Sequence, residues 1–413
     1  MTERSALQQL DLSQPPPDLP LEAILPAEPL LLMGAGPVPV PHKVAVANSV
    51  VINHLGETMG KVIERVKTMA RYVFQTRTPY VLGVAGPASA AMEMAITNVI
   101  WPGRKVLCVR NGLFSGRLGE MARRVGGEVT YLEVPPGQAA TVEAVEAALR
   151  RERFDVITMV QGETSCTVWN REVAGICRLA KQHGLLTIVD AVCTLSTMPL
   201  EMDAWNVDIV VTGGQKGLSS IPGVSLITFS EDAWHTIETR SAPMPHWCLD
   251  ARLAQEFWGR KGYHYTAPVS GILALHEALR LICQETLPLR FKRHAVCSRA
   301  LQRAVEAMGL SLFVEPECRL YSVVGINVPP GVSSKQVLTM MSQIYRVEIS
   351  GAFGLDIVRI GQMGEQARAH NVFRTVHALG MSMQAAGAQL DVPAGMAALE
   401  QALTEEDNLR LTA

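Results

Sequence analysis

The sequence predicts an α/β protein, with a large, mostly parallel sheet covered by helices on both faces and a smaller C-terminal α/β domain. Three observations predict it. Between residues 80 and 230, short apolar runs alternate with amphipathic ones, the rhythm of consecutive βαβ units. The runs VLGV, VITMV, LLTIV and DIVV are apolar almost throughout, as strands buried on both sides must be. From about Gln284 the spacing changes, which marks a second unit.

Residues 1–30 are rich in Pro, Leu and Gln without a helical or strand period, and are expected to form an extended arm. A long helical pattern follows Pro41 and runs to about Phe74. Strands are expected at YVLGVAG (80–86), KVLCVR (105–110), VTYLEV (129–134), FDVITMV (154–160), LLTIVDAV (185–192), DIVV (208–211) and VSLITFS (224–230). Helices are expected between them at 89–100, 114–125, 142–152 and 172–183. Beyond Gln284 the pattern gives a helix near 289–308, a strand VVGINV (323–328), a helix at 334–345, a strand IVRIG (357–361) and a final helix at 368–386. The expected organisation is an arm (1–30), a large domain (31–283) and a small domain (284–413), with no internal repeat.

Composition narrows the function. Of 413 residues, 48% are hydrophobic and 18% charged, which suits a large buried core. A net charge of −2 gives no reason to expect nucleic acid or an acidic membrane as partner. The polar, acidic start lacks the basic region and apolar run of a signal peptide. No apolar stretch reaches the ~18 residues of a membrane span. The eight cysteines are scattered, with no C-x-x-C and no metal-type spacing. A reducing cytoplasm is the expected location, and no metal is expected.

In open α/β sheets, ligands bind beyond the carboxyl ends of the strands. Asp190 follows LLTIV, and Gly-Gly-Gln-Lys216 follows DIVVT. Alone, Asp190 reads first as a turn residue, and Lys216 first as a surface lysine in a glycine-rich loop. Lysine is scarce, however, nine in the whole chain, and this one sits at the mouth of an apolar strand. An amine with an unperturbed pKa of about 10.4 becomes a nucleophile near neutrality only when burial lowers that value. A buried carboxylate beside it can hold a pyridinium nitrogen protonated, which makes that ring an electron sink. Together they are the two fixed points that a pyridoxal phosphate site requires. Ser89 opens a helix straight after a strand and turn, where free N–H groups suit a phosphate. The G-A-G at 34–36 is no dinucleotide fingerprint.

The chain resembles the class V, fold-type I pyridoxal phosphate aminotransferases of the alanine/serine–glyoxylate group. The matching pieces are GAGPVP (34–39), YVFQTRTP (72–79), AGPASAAMEMA (85–95), NGLFSGR (111–117), QGETSCTV (161–168), VDAVCTL (189–195), TGGQKGL (212–218), GYHYTAPV (262–269) and RIGQMG (359–364), in family order. The resemblance implies pyridoxal phosphate as cofactor, bound as a Schiff base at Lys216, which also shuttles the proton. It implies Asp190 at the pyridinium nitrogen, Val192 and Phe114 on the two ring faces, and Thr164 near the ring hydroxyl. Ala88, Ser89 and Gln215 would hold the phosphate, joined by Tyr263 and Thr266 from the other chain of a homodimer. Arg359 would grip the substrate carboxylate, with Gly36 beside it. Gln161 stands where relatives often have His, Ala88 where they have Gly, and Ala35 where they have Pro. The implied activity is ping-pong transfer of an amino group from a small donor to glyoxylate or pyruvate. Pyridoxamine–pyruvate, ureidoglycine–glyoxylate and aspartate–glyoxylate transamination remain open, as does a non-catalytic cofactor-binding protein. A cysteine desulfurase fits less well, because Cys248 is the nearest approach to a catalytic-loop cysteine.

Overall fold

The computed structural model describes Ser13 and residues 15–411, with side chains described to Glu405. Among these residues seven strands form the main sheet: β1 (Val81–Ala85), β2 (Lys105–Arg110), β3 (Glu128–Glu133), β4 (Val156–Val160), β5 (Leu186–Asp190), β6 (Ile209–Gly213) and β7 (Val224–Phe229). Their spatial order is β1-β7-β6-β5-β4-β2-β3. All neighbouring pairs are parallel except those of β7, which runs antiparallel to β1 and to β6. The mostly parallel sheet is therefore present, with one reversed strand. β1 and β6 run the same way because both oppose β7. The carboxyl ends of β1, β4, β5 and β6 thus meet along one edge.

The central strands β4, β5, β6 and β7 are buried along their whole length. Only β3, at the sheet edge, has exposed residues alternating with half-buried ones. Helices α1 (His42–Asn48), α2 (Glu57–Phe74), α3 (Ala88–Val99) and α4 (Leu113–Arg124) precede the middle of the sheet in the chain; α5 (Val269–Glu285) and α6 (Leu287–Ala307) follow it. One core joins the sheet to α2, α3 and α5 through residues such as Ile63, Phe74, Leu82, Ile96, Ile157 and Leu275. A second gathers Met33, Leu301, Ile326, Val358, Ile360 and Leu379. Its sheet contains β8 (Val323–Asn327), β9 (Ser350–Gly351) and β10 (Ile357–Gly361), with α7 (Ala369–Ala385) and α8 (Val392–Leu411) packed alongside. No helix of the described residues is long and apolar enough to cross a membrane.

Three expectations need correction. The helical pattern from Pro41 to Phe74 is two helices, because the Asn53 side chain accepts from the Leu55 N–H at 3.0 Å and Gly56 starts α2 afresh. The helix expected to end the chain is followed by α8, whose start is capped by Asp391 through the Ala394 N–H at 2.9 Å. Residues 31–32, assigned to the large domain, pair instead with Val347–Glu348, and Met33 enters the second core. Of the expected arm, residues 1–12 and 14 lie outside the described residues. Residues 15–30 are irregular apart from one 3-10 turn at Leu21–Ala23.

Candidate active site

The ends of β5 and β6 are held in register. Asp190 lies opposite Val211, and the Ala191 N–H donates to the Val211 carbonyl at 3.0 Å. The Lys216 loop leaves β6 directly after Gly213 and faces the Asp190 turn. Between them is a cavity of about 210 Å³ that opens to solvent. Ala88, Ser89, Phe114, Thr164, Asp190, Val192, Gln215 and Lys216 all line it. Every one of these was expected from the sequence. A Cβ on Gly213 would meet Gln215 Oε1 at 2.7 Å and the Ala88 Cβ at 2.8 Å, so glycine lets the loop close on α3.

Two helices reach the cavity with their N-termini, and they end differently. α3 begins after Pro87, with no side chain capping its first N–H groups. Its positive end is left available to an anion at Ala88 and Ser89. α4 is already satisfied. The Leu113 N–H donates to Ser165 Oγ at 3.0 Å, the Phe114 N–H to Glu163 Oε1 at 3.3 Å and the Ser115 N–H to Glu163 Oε2 at 2.8 Å. Glu163 is fully buried and also accepts from the hydroxyls of Ser115 and Ser165 at 2.9 and 2.6 Å. A carboxylate fits there because the helix end is positive. The result fixes Phe114 at the cavity wall.

Burial pushes the Asp190 carboxyl up to about 7, with the Glu163 carboxylate adding to the rise and the Val192 N–H, at 2.8 Å, opposing it. Burial lowers the Lys216 amine, and the Arg359 charge lowers it further, against the Asp190 carboxylate. The amine donates to the Ala35 carbonyl. Cys193 also lines the cavity, but burial pushes its thiol up to about 12, so it stays neutral.

The remaining expected residues lie elsewhere. Arg359, on β10, is 5% exposed and outside the cavity lining. It reaches it indirectly, donating Nη1 to the Thr164 carbonyl at 2.7 Å, with Nε and Nη2 on the Gly351 carbonyl at 2.9 and 2.5 Å. Gly36 lies against the Lys216 chain, since a Cβ there would meet Lys216 Cδ at 2.7 Å. Tyr263 and Thr266 are exposed and outside the cavity of their own chain. Sequence reading missed the structural part of Glu163, and missed Arg117, Met92 and Cys193 as wall residues. Met92, Arg117, Glu163 and Cys193 all stand inside motifs already noted. Glu163 carried a further signal, a carboxylate just after a buried strand while the helix at 113 had no capping side chain before it.

Fold and site together define an α/β protein that brings a lysine and a buried carboxylate into one cavity at the carboxyl ends of adjacent strands. The family profile described as "Aminotransferase class-V" matches residues 42–374. The chain belongs to the class V aminotransferases and is a transaminase. It is 32% identical to alanine–glyoxylate aminotransferase of Mus musculus over 90% of this chain and 91% of that one. The crystal structure of alanine–glyoxylate aminotransferase from Nostoc sp. is 34% identical with a TM-score of 0.85, covering 87% of this chain and 96% of that one. Ureidoglycine–glyoxylate aminotransferase from Bacillus subtilis is 28% identical with a TM-score of 0.88, covering 92% and 99%.

Proposed function

We propose that the protein moves an amino group from a small amino acid, alanine or serine in type, to glyoxylate or pyruvate, with pyridoxal phosphate bound at Lys216. The observation that carries this reading is that Lys216 and Asp190 line one cavity with the uncapped N-terminus of α3. The residues fit the cofactor. α3 offers a phosphate the N–H groups of Ala88 and Ser89, which no side chain caps. Asp190 is a buried acid awaiting a cation. When bound, pyridoxal phosphate supplies the electron sink that makes an α-proton of the substrate acidic.

The chain supplies the rest. Lys216 Nζ, its pKa lowered by burial, is neutral more of the time and so would be free to take that α-proton and return it. Asp190 would keep the ring nitrogen protonated, and Phe114 and Val192 would hold the ring. Thr164 would meet the ring hydroxyl, and Ala88, Ser89 and Gln215 would hold the phosphate. Arg359 would reach the substrate carboxylate with the N–H groups left over from its bonds to Thr164 and Gly351, and Gly36 would leave room for Lys216. Tyr263 and Thr266 of a second copy complete the phosphate site, and eight free thiols suit the cytoplasm. The mouse and Nostoc relatives, named for alanine and glyoxylate, support this choice of substrates.

The test is chemical. Purified protein loaded with pyridoxal phosphate should be yellow, and borohydride should bleach it and fix the cofactor on the peptide containing Lys216. A panel of amino donors against glyoxylate and pyruvate then reads the substrates. Label on another lysine, or wild-type turnover by Lys216→Ala, refutes the assignment.

A further inference from the structure

At the junction of α5 and α6 lies a buried cluster of charged groups that the reading above does not use. Glu285 ends α5; Arg290, Arg293 and His294 follow on α6. Arg290 is 2% exposed and His294 is fully buried. The Glu285 carboxylate accepts from Arg290 Nη1 at 2.8 Å and from Arg293 Nε and Nη2 at 2.6 and 2.9 Å. Burial alone would raise its pKa, but the two guanidinium groups hold it at about 2.

The donors left over point in two directions. Arg290 Nη2 donates to the Gly217 carbonyl at 2.7 Å and Nε to Ser196 Oγ at 3.3 Å. Ser196 Oγ itself donates to Gly217 at 2.9 Å. Gly217 is the residue after Lys216, and Ser196 lies in the run of turns that begins at Asp190. Ser196 has φ +67, a conformation that non-glycine residues adopt only when something holds them there. Arg293 Nη1 donates to the carbonyls of Gly364 and Ala367 at 2.8 and 2.7 Å. His294 Nε2 accepts from the Gly364 N–H at 2.9 Å, while Nδ1 meets the Arg290 carbonyl at 2.7 Å. Gly364 stands in the turn just after β10, the strand that carries Arg359.

Burying such charges is expensive, and an apolar junction is often at least as stable. What only this cluster supplies is a fixed spacing between three loops. We propose that Arg290 and Arg293 are positioning residues of the transamination site: Arg290 sets the Lys216 loop against the Asp190 loop, and Arg293 with His294 sets the Arg359 strand against both. The proposal rests on the function proposed above. It assigns the two arginines separable effects, since one braces the cofactor end and the other the substrate-carboxylate end.

The experiment uses protein loaded with pyridoxal phosphate, read by visible circular dichroism of the bound cofactor and by steady-state kinetics with alanine and glyoxylate. Arg290→Lys keeps a charge for Glu285 but cannot span Ser196 and Gly217 as well. It should lose most of the visible dichroism per bound cofactor and ~10–100-fold in kcat, with KM within about threefold of wild type. Arg293→Lys should keep the dichroism and raise KM for amino and keto acids about tenfold, with little change in kcat. Ser196→Ala leaves no charge behind and should shift the dichroism in the same direction as Arg290→Lys, by less. If these variants lower only the melting temperature and leave dichroism, kcat and KM as in wild type, the cluster is plain structural support and the proposal is overturned. Failure of the underlying function looks different, because wild-type protein would then lack cofactor colour or transamination, and the proposal would fall with it.

Discussion

At Gly36 a single methyl group should do great harm. Its φ of +100 already excludes most side chains, and an added Cβ would meet Lys216 Cδ and Cε at 2.7 and 2.9 Å. Gly36→Ala must displace the lysine or the loop, and a reacting group misplaced by about 1 Å costs ~100-fold in rate. Activity within about threefold of wild type would show that the loop yields freely. Asp190 makes a second prediction, about pH. Its carboxyl titrates at about 7 in the cofactor-free fold because burial disfavours the anion, and near 4 in the unfolded chain. Between those values the folded state holds a proton that the unfolded state has released. Stability from this group therefore falls as pH rises from about 4 through about 7. Cofactor-free Asp190→Asn should lose that slope and melt higher than wild type near pH 8. The same variant, once loaded, should be slower by roughly two to three decades, since an amide cannot neutralise a pyridinium. Melting curves at about pH 5 and about pH 8, with and without cofactor, check both halves; an Asn variant that is active, or no more stable than wild type at high pH, contradicts the assignment.

Among the elements, α4 carries the clearest dependence on one side chain. Its first N–H groups are met not by its own sequence but by Glu163 and Ser165, from the segment after β4. Glu163→Gln puts an amide where two acceptors are needed. It should cost about 1.5–3 kcal/mol, the range for hydrogen bonds to a charged group, and loosen Phe114. Thermal unfolding and cofactor affinity should both fall, and an unchanged melting temperature would mean that Ser165 alone caps the helix. This element also shows what sequence could and could not reveal. β5 and β6 were legible because fully buried strands are apolar runs, so Asp190 stood out as the polar residue that ends β5 and Lys216 as the lysine in the loop that leaves β6. The reversed direction of β7 was not legible, since VSLITF is buried on both faces whichever way it runs. The break before α2 was hidden because Val50, Val51 and Ile52 continue the apolar pattern although Val50 and Val51 are exposed. Glu163 and Arg290 were hidden for one reason: the contacts that matter, of Glu163 with the start of α4 and of Arg290 with Ser196 and Gly217, join residues far apart in sequence, and no spacing records them.

On the scale of the whole molecule, the proposed dimer would cover apolar surface that one chain leaves exposed. Tyr263 is 56% exposed, and exposed Trp247, Val51 and Leu55 add apolar surface from the flanking segments. The arm adds Leu19, Leu21, Ile24 and Leu25, all exposed. A second copy is the expected cover, bringing Tyr263 and Thr266 to its neighbour's phosphate. Mixing inactive Lys216→Ala chains with Tyr263→Ala chains should then restore native sites in the hybrid, whereas a fully active monomer in sedimentation would refute sharing. The placement of β7 has a consequence of another kind, for the order in which the protein is born. β1 has a single neighbour in the sheet, β7, and Ala85 must wait for Val224. At ~5–20 residues per second, a ribosome takes on the order of ten seconds to supply it. Through that interval VLGVA is an unpaired apolar edge, and α3 lacks the strands β6 and β7 on which it packs. The phosphate end of the site is encoded early and assembled late, so the nascent chain spends its most adhesive moments before it can hold the cofactor.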